Sequence, residues 1–161
     1  MTVHAGLVAL RLDGAWLGAL IEGPSGAGKS DLALRCLDHG FRLVADDRVV
    51  LFASDGRLWG RAPGPLVGLI EVRGLGVERV ESVFLAQVVQ KVRCAAEPGA
   101  VERMPEPQVE SLMGIGIEAL DLWPFEHAAP AKLRRALQGL GRRAQQAYQA
   151  TLAPPGGRMG A

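Results

Sequence analysis

Two cysteines in 161 residues leave this chain no disulfide framework to speak of. Cys36 and Cys94 lie far apart, and Cys36 falls on the apolar side of a predicted helix, which suits buried free thiols in a reducing compartment. Nor do the cysteines and the three histidines fall at metal-site spacing. A surplus of either charge is also missing. The net charge of +1 offers no electrostatic footprint for nucleic acid or a membrane surface. Charged or polar residues interrupt every apolar run before it reaches membrane-spanning length. No basic segment followed by an apolar run opens the chain, so no signal peptide is expected, and no internal repeat is visible. These absences predict a cytoplasmic protein with no nucleic-acid or membrane partner. What is present is the composition of an ordinary globule, 48% hydrophobic and 22% charged, long enough for one domain with a real core.

The sharpest positive feature is the run Gly23-Pro24-Ser25-Gly26-Ala27-Gly28-Lys29-Ser30. It fits the phosphate-binding loop pattern (Gly, four residues, Gly-Lys-Ser/Thr) without a mismatch. Its glycines reach backbone angles closed to other residues, so the chain can curl around an anion and point backbone N–H groups at phosphate oxygens. A helix beginning at the loop's end adds the positive end of its dipole. The Lys29 ammonium suits the β- and γ-phosphates, and the Ser30 hydroxyl suits Mg²⁺. Leu17, Leu20 and Ile21 read as a buried strand before the loop, and Ser30 to Leu37 as a helix after it, the context the motif demands. Without that context the run reads as a glycine turn between two ordinary elements.

Along the chain, Val3 to Leu12 reads as a strand, Asp13-Gly14 as a hairpin turn and Trp16 to Ile21 as the returning strand. The first helix ends near His39-Gly40. Strands are predicted at Arg42–Ala45, Val49–Ala53 and Leu58–Ala62, with a turn at Asp55-Gly56 and a break at Pro63-Gly64-Pro65. Leu69–Arg73 is a strand ending at Gly74-Leu75-Gly76. Val83–Val92 is apolar and β-branched, as a central strand is. Glu97 to Pro107 is a loop, followed by short strands at Val109–Met113 and Ile117–Leu122. Pro130–Leu152 is the longest helical segment. Leu133, Leu137, Leu140, Ala144, Ala147 and Tyr148 form its apolar stripe, Gly139 and Gly141 weaken its middle, and its arginines form a solvated face. Residues 153–161, which include Pro154-Pro155-Gly156-Gly157, are expected to be a disordered tail. One early and one late helix with strands between them do not make a regular doubly wound domain. The expected fold is α/β, a P-loop domain with a mixed, strand-rich sheet.

A nucleoside triphosphate site also needs a metal-directed carboxylate and a group that orients the nucleophile. Asp46-Asp47 follows the strand after the first helix. Adjacent residues on an extended chain point to opposite sides, so the pair can divide the work, one near the metal and one near the acceptor. The alternative is an Asx turn capping the strand. Glu71-Val72-Arg73-Gly74-Leu75-Gly76 sets an acid and a base on one strand face before a glycine turn. It fails as a dinucleotide fingerprint, lacking the third glycine, and taken alone it reads as an ion pair at a strand end.

Together these pieces resemble the catalytic domain of the HPr kinase/phosphorylases. Val3-His4-Ala5, Gly23–Ser30, Arg42-Leu43-Val44-Ala45-Asp46-Asp47 and Leu69–Gly76 occur in that family's order and at roughly its spacing, over about residues 3–125. The short forms that have the catalytic domain alone are the nearest match, with the catalytic domain expected over residues 1–152. The resemblance implies a fold similar to the nucleotide domain of phosphoenolpyruvate carboxykinases. It implies an ATP- and Mg²⁺-dependent kinase acting on a serine of an HPr-like phosphocarrier, and a possible homo-hexamer. It implies that Lys29 holds the transferring phosphoryl group, that Ser30 and Glu71 ligate Mg²⁺ with Asp46 beside them, and that Asp47 accepts the serine proton. His4 would assist. Arg103, in Val101-Glu102-Arg103-Met104, would stabilise charge on the phosphoryl group. Where long members carry an arginine-bearing run tied to dephosphorylation, this chain has Trp123-Pro124-Phe125-Glu126-His127-Ala128-Ala129-Pro130. The resemblance therefore carries kinase activity further than phosphorolysis.

Two other readings stay open at this point. A small-molecule kinase of the common P-loop type predicts more helices and a lid segment. A nucleotide-responsive binding module predicts binding with little transfer. Backbone cradling of phosphates does not read a base, so ATP and pyrophosphate both fit as donor.

Overall fold

The computed structural model describes residues 1–152, so the tail expected at 153–161 lies outside the described residues. Where one strand is expected at Val3–Leu12 there are two, β1 (Thr2–Val3) and β2 (Gly6–Leu12). The break at His4-Ala5 is held by the Ala5 N–H, which donates to Asp47 O at 3.2 Å. Beyond it β2 leaves the partner of β1 for others of its own. β3 (Ala15–Glu22) returns after Asp13-Gly14, whose φ values of +49° and +79° match the right-handed twist of the flanking strands. Then come α1 (Lys29–Leu37), β4 (Arg42–Ala45), β5 (Val49–Ser54) and β6 (Arg57–Arg61). A short 3₁₀ turn at Gly64–Leu66 follows the proline break.

β7 (Leu69–Val72) does not end the local structure. Gly74 and Gly76, at φ +89° and +111°, reverse the chain into β8 (Gly76–Arg79), which the sequence reading lacks. The two form a separate antiparallel ribbon, with Glu71 opposite Val77. β9 (Ala86–Cys94) starts later than expected, because Val83 N donates to Leu43 O at 2.8 Å instead of continuing the strand. β10 (Gln108–Leu112), β11 (Ile115–Leu122) and α2 (Ala129–Leu152) complete the described chain.

The main sheet has nine strands and runs β1-β5-β6-β9-β3-β2-β4, with β11 also on β9 and β10 on β11. β9 is parallel to β3 and β11, and the other pairings within this sheet are antiparallel. The sheet is therefore mixed, as expected. Between Gly18/Ala19 on β3 and Val88/Gln90 on β9 the register shifts by one residue, leaving Val89 as a bulge. Val88 accordingly joins one core and Val92 the other.

The two cores lie on opposite faces. One packs Leu32, Ala33 and Cys36 of α1 and Leu133 and Leu137 of α2 against Val8, Ile21 and Leu43. The other takes no residue from either helix, and Leu7 packs within it. A Cβ on Gly60 would lie 2.6 Å from Leu7 Cδ2, and one on Gly18 would lie 3.0 Å from Cδ1, so the two glycines make the slot that Leu7 fills. Leu133 and Leu137 are fully buried, each worth about 1.5–3 kcal/mol of transfer free energy. Of the stripe expected on α2, Leu133 and Leu137 are buried and Leu140 is half-buried, whereas Ala147 and Tyr148 are exposed. Tyr148 and Leu152 are each 65% exposed, because 24 residues at ~1.5 Å each outrun the sheet face they cross. Gly141 has a packing role in that helix, letting Leu12 Cδ1 come within 3.2 Å of its would-be Cβ.

Candidate functional site

β3 delivers the chain to the phosphate loop, and α1 carries it away. Within the loop, Ala27 N donates to Pro24 O at 3.0 Å, and Leu32 N to Gly28 O at 2.9 Å opens the helix. Gly28 caps α1 with φ +101°, and Gly26 has φ +79°, the left-handed angles for which the motif keeps glycine. A Cβ on Gly28 would meet the Phe125 ring at 2.8 Å. Lys29 is buried, and its ammonium donates to Gly23 O at 2.7 Å and Pro24 O at 2.9 Å. The ammonium thus sits inside the curl that the loop makes.

The aspartate pair divides as the alternation of an extended chain suggests. Asp46 turns inward and is 6% exposed. Its Oδ1 accepts from Ser30 Oγ at 2.7 Å, and its Oδ2 accepts from Glu71 N at 2.9 Å. Asp47 turns outward, with Oδ1 3.1 Å from His4 Nε2 and Oδ2 3.7 Å from Arg48 Nε. The turn between them is tight. Arg48 N donates to Asp46 O at 2.7 Å across Asp47, whose φ is +66°. A non-glycine residue at the centre of such a three-residue turn is strained. The strain is held by the Ala5 N–H on Asp47 O, so the break between β1 and β2 and the placing of His4 have one cause.

These residues surround a cavity of about 340 Å³. His4, Ser25, Gly26, Gly28, Lys29, Ser30, Asp47 and Glu71, all expected site residues, line it. Asp46 reaches it through the Ser30 hydroxyl. Arg73, Phe125, Leu34 and Asp31 also line it without having been expected there. The ion pair that the strand-end reading allows between Glu71 and Arg73 is not formed among the described residues, and both side chains face the cavity instead. Arg103 is not among the lining residues; it lies exposed in the loop between β9 and β10. Sequence order alone put it at the site, and no element of the fold carries that loop to the cavity.

Ser30 and Glu71 line the cavity and Asp46 is bonded to the Ser30 hydroxyl and the Glu71 backbone, so oxygen-bearing side chains of the kind a hard cation takes stand on neighbouring segments. Because Ser30 donates its hydrogen to Asp46, its lone pairs are left free. Among the described residues no three or more His, Cys, Asp or Glu side chains converge into a cage, so such a cation would be shared with a ligand. Burial pushes Cys36 up to about 12 and Cys94 up to about 11, with nearby Lys29 lowering Cys94 by a smaller amount. Both are free thiols, as expected. No described helix is long and apolar enough to cross a membrane.

Comparison with known proteins adds the following. The family model for the HPr Serine kinase C-terminal domain matches residues 1–94. The HPr kinase/phosphorylase of Streptococcus thermophilus is 38% identical over 107 residues, covering 66% of this chain and 35% of the relative. That of Clostridium beijerinckii is 47% identical over 81 residues, covering 50% of this chain and 27% of the relative. The chain therefore spans about a third or less of the length of these curated relatives. The solved structure of the Hpr(Ser) kinase/phosphatase from Coxiella burnetii superposes with a TM-score of 0.74 at 24% identity, covering 90% of this chain and 99% of that one. It bears out the mixed, strand-rich α/β fold.

Proposed function

This chain belongs to the family of HPr serine kinase C-terminal domains, and from that premise we propose that it is an ATP- and Mg²⁺-dependent protein serine kinase whose acceptor is an HPr-like phosphocarrier. The observation that carries this reading is the convergence of Lys29, Ser30, Asp47, Glu71 and His4 on one cavity. The two α-helices among the described residues, against eleven strands, favour it over a helix-rich small-molecule kinase.

The backbone N–H groups of Gly23–Ser30 bind the phosphates, and the Lys29 ammonium exchanges loop carbonyls for phosphate oxygens. Ser30 Oγ and Glu71 would hold Mg²⁺, and Asp46 acts as a positioning residue by taking the Ser30 hydrogen. When bound, Mg²⁺ would supply charge neutralisation. Asp47 accepts the proton of the acceptor serine as its oxygen bonds to the γ-phosphorus and the bridging bond to ADP breaks. His4, 3.1 Å from Asp47, fixes which carboxylate oxygen faces the acceptor. The cation that offsets charge on the transferring group is Arg73, which lines the cavity, in place of Arg103, which does not. Positioning and charge stabilisation supply most of the rate. Assembly as a hexamer belongs to the same reading and is checked by sedimentation.

The test is transfer of labelled phosphate from ATP to purified HPr with Mg²⁺. Transfer that Asp47→Asn abolishes, with ATP binding intact, is expected. ATP binding without any transfer by the native chain overturns the kinase reading and selects a binding module.

A further inference from the structure

A phosphate cradle made of backbone does not distinguish a nucleotide from an inorganic polyphosphate, and something else at the cavity has to. We propose that Phe125 is a stacking platform for the nucleobase, so that the cavity takes a nucleoside polyphosphate in preference to inorganic polyphosphate. This rests on the reading that the loop binds a polyphosphate.

Phe125 lines the cavity although it is 53% exposed. About half of the ring is therefore open to a ligand in the cavity. The phosphate loop takes one face of the ring at its outer end: a Gly28 Cβ would stand over Cζ at 2.8 Å, with Cε1 and Cε2 at 3.0 and 3.2 Å. With that face against the loop, the half of the ring that is exposed is what a base can cover. Trp123 meets it edge to face, with centroids 6.4 Å apart at 70°, which sets the ring's tilt without enclosing it.

The ring is also fixed in place. The Arg35 guanidinium donates to the carbonyls on both sides of it, Pro124 O and, at 3.1 Å, Glu126 O. Arg35 is itself held by Asp31, with Nε to Oδ2 at 2.9 Å. Asp31 and Arg35 belong to α1, the helix that starts at the phosphate loop. Arg35 therefore ties the segment that carries the ring to the helix that carries the cradle, so little ordering is left for the ligand to bring about. A ring face accepts any flat base, and the platform selects for the presence of a base, not for its identity.

The experiment is calorimetric titration of the native chain with ATP, ADP and inorganic tripolyphosphate, all with Mg²⁺, repeated for Phe125→Ala, Phe125→Leu and Phe125→Trp. Stacking predicts that Phe125→Ala and Phe125→Leu weaken ATP and ADP by roughly ten-fold or more, on the scale of one lost base–aromatic contact. Tripolyphosphate binding stays within about two-fold, and Phe125→Trp retains nucleotide binding. Equal loss of nucleotide and tripolyphosphate in the folded leucine variant overturns the proposal, since the ring then only supports the loop. Unchanged ATP binding in that variant overturns it as well. Native protein that binds neither nucleotide nor tripolyphosphate sinks the underlying polyphosphate reading, whereas native binding with indifferent Phe125 variants sinks the stacking proposal alone.

Discussion

Ser30 Oγ donates a 2.7 Å hydrogen bond to Asp46 Oδ1, joining the end of the phosphate loop to the residue that follows β4. The other oxygen of the same carboxylate takes the Glu71 N–H at 2.9 Å. One buried side chain thus ties together three segments that are remote in sequence, and each of them presents a residue to the cavity.

Asp46→Ala leaves the Ser30 hydroxyl and the Glu71 N–H without their acceptor. A buried group left unsatisfied costs about 1–3 kcal/mol, and a domain of this size loses about 2–4 °C in Tm per kcal/mol. A melt lower by several degrees is expected. Asp46→Asn keeps the shape and should melt closer to the native chain, yet need more Mg²⁺ for half-maximal transfer. An unchanged Mg²⁺ requirement in that variant removes Asp46 from any role at the metal.

Arg73 and Arg103 separate the cavity from the loop. Arg73→Ala should lower kcat for phosphoryl transfer on the order of 10²-fold, the scale of one lost charge-stabilising donor, with ATP affinity nearly kept. Arg103→Ala should stay near the native rate. The reverse ranking in a steady-state assay with HPr would return the role to Arg103.

Gly28 and Gly26 form a matched pair of tests. Both have positive φ, so alanine at either incurs a left-handed penalty of about 1–2 kcal/mol. A Cβ at Gly26 meets nothing within 4 Å, whereas one at Gly28 meets the Phe125 ring at 2.8 Å. Gly28→Ala should therefore be the less stable of the two in urea melts, and the gap should shrink when Phe125 is replaced by Leu.

Glu110 governs an acid-side loss of stability. The hydrogen bond from Lys91 holds its carboxyl below the ordinary carboxylate value, with partial burial opposing and Arg93 assisting. A carboxylate whose folded pKa is lowered adds stability above its unfolded value of ~4.3, and that stability is lost as pH falls through the folded value. Urea melts of the native chain should weaken from about pH 5 downward. Glu110→Gln should be less stable at pH 7 and show a smaller drop toward pH 3. Parallel pH profiles for the two proteins would count against the Lys91–Glu110 contact.

The local signals were legible in the sequence. Asp13-Gly14 and Asp55-Gly56 turn the chain with paired positive φ, as their residue types require, and β4 keeps its expected bounds at Arg42–Ala45. The phosphate loop carries its strand and helix with it. What the sequence hid depends on distant partners. The break at His4-Ala5 exists because Asp47 O reaches Ala5 N, 42 positions on. Phe125 comes to Gly28 through Arg35, a contact that no local pattern encodes. β8 was missed because all four of its residues are exposed, so it shows no alternation of apolar and polar positions. Arg103 was placed by motif order, which says nothing about where the loop between β9 and β10, residues 95–107, ends up.

Val89 stands apart from its neighbours in β9. The strand pairs with β6 through Ala86 and Gln87 before that residue and with β11 from Gln90 onward after it. The extra residue is the bend at which the strand exchanges one companion for another. A chain shortened by Val89 alone would keep every remaining side chain on its present face and every remaining pair opposed. It would surrender only the crook that turns β9 toward β11. Deletion elsewhere along the strand would invert everything downstream, so within β9 this is the place where length is negotiable.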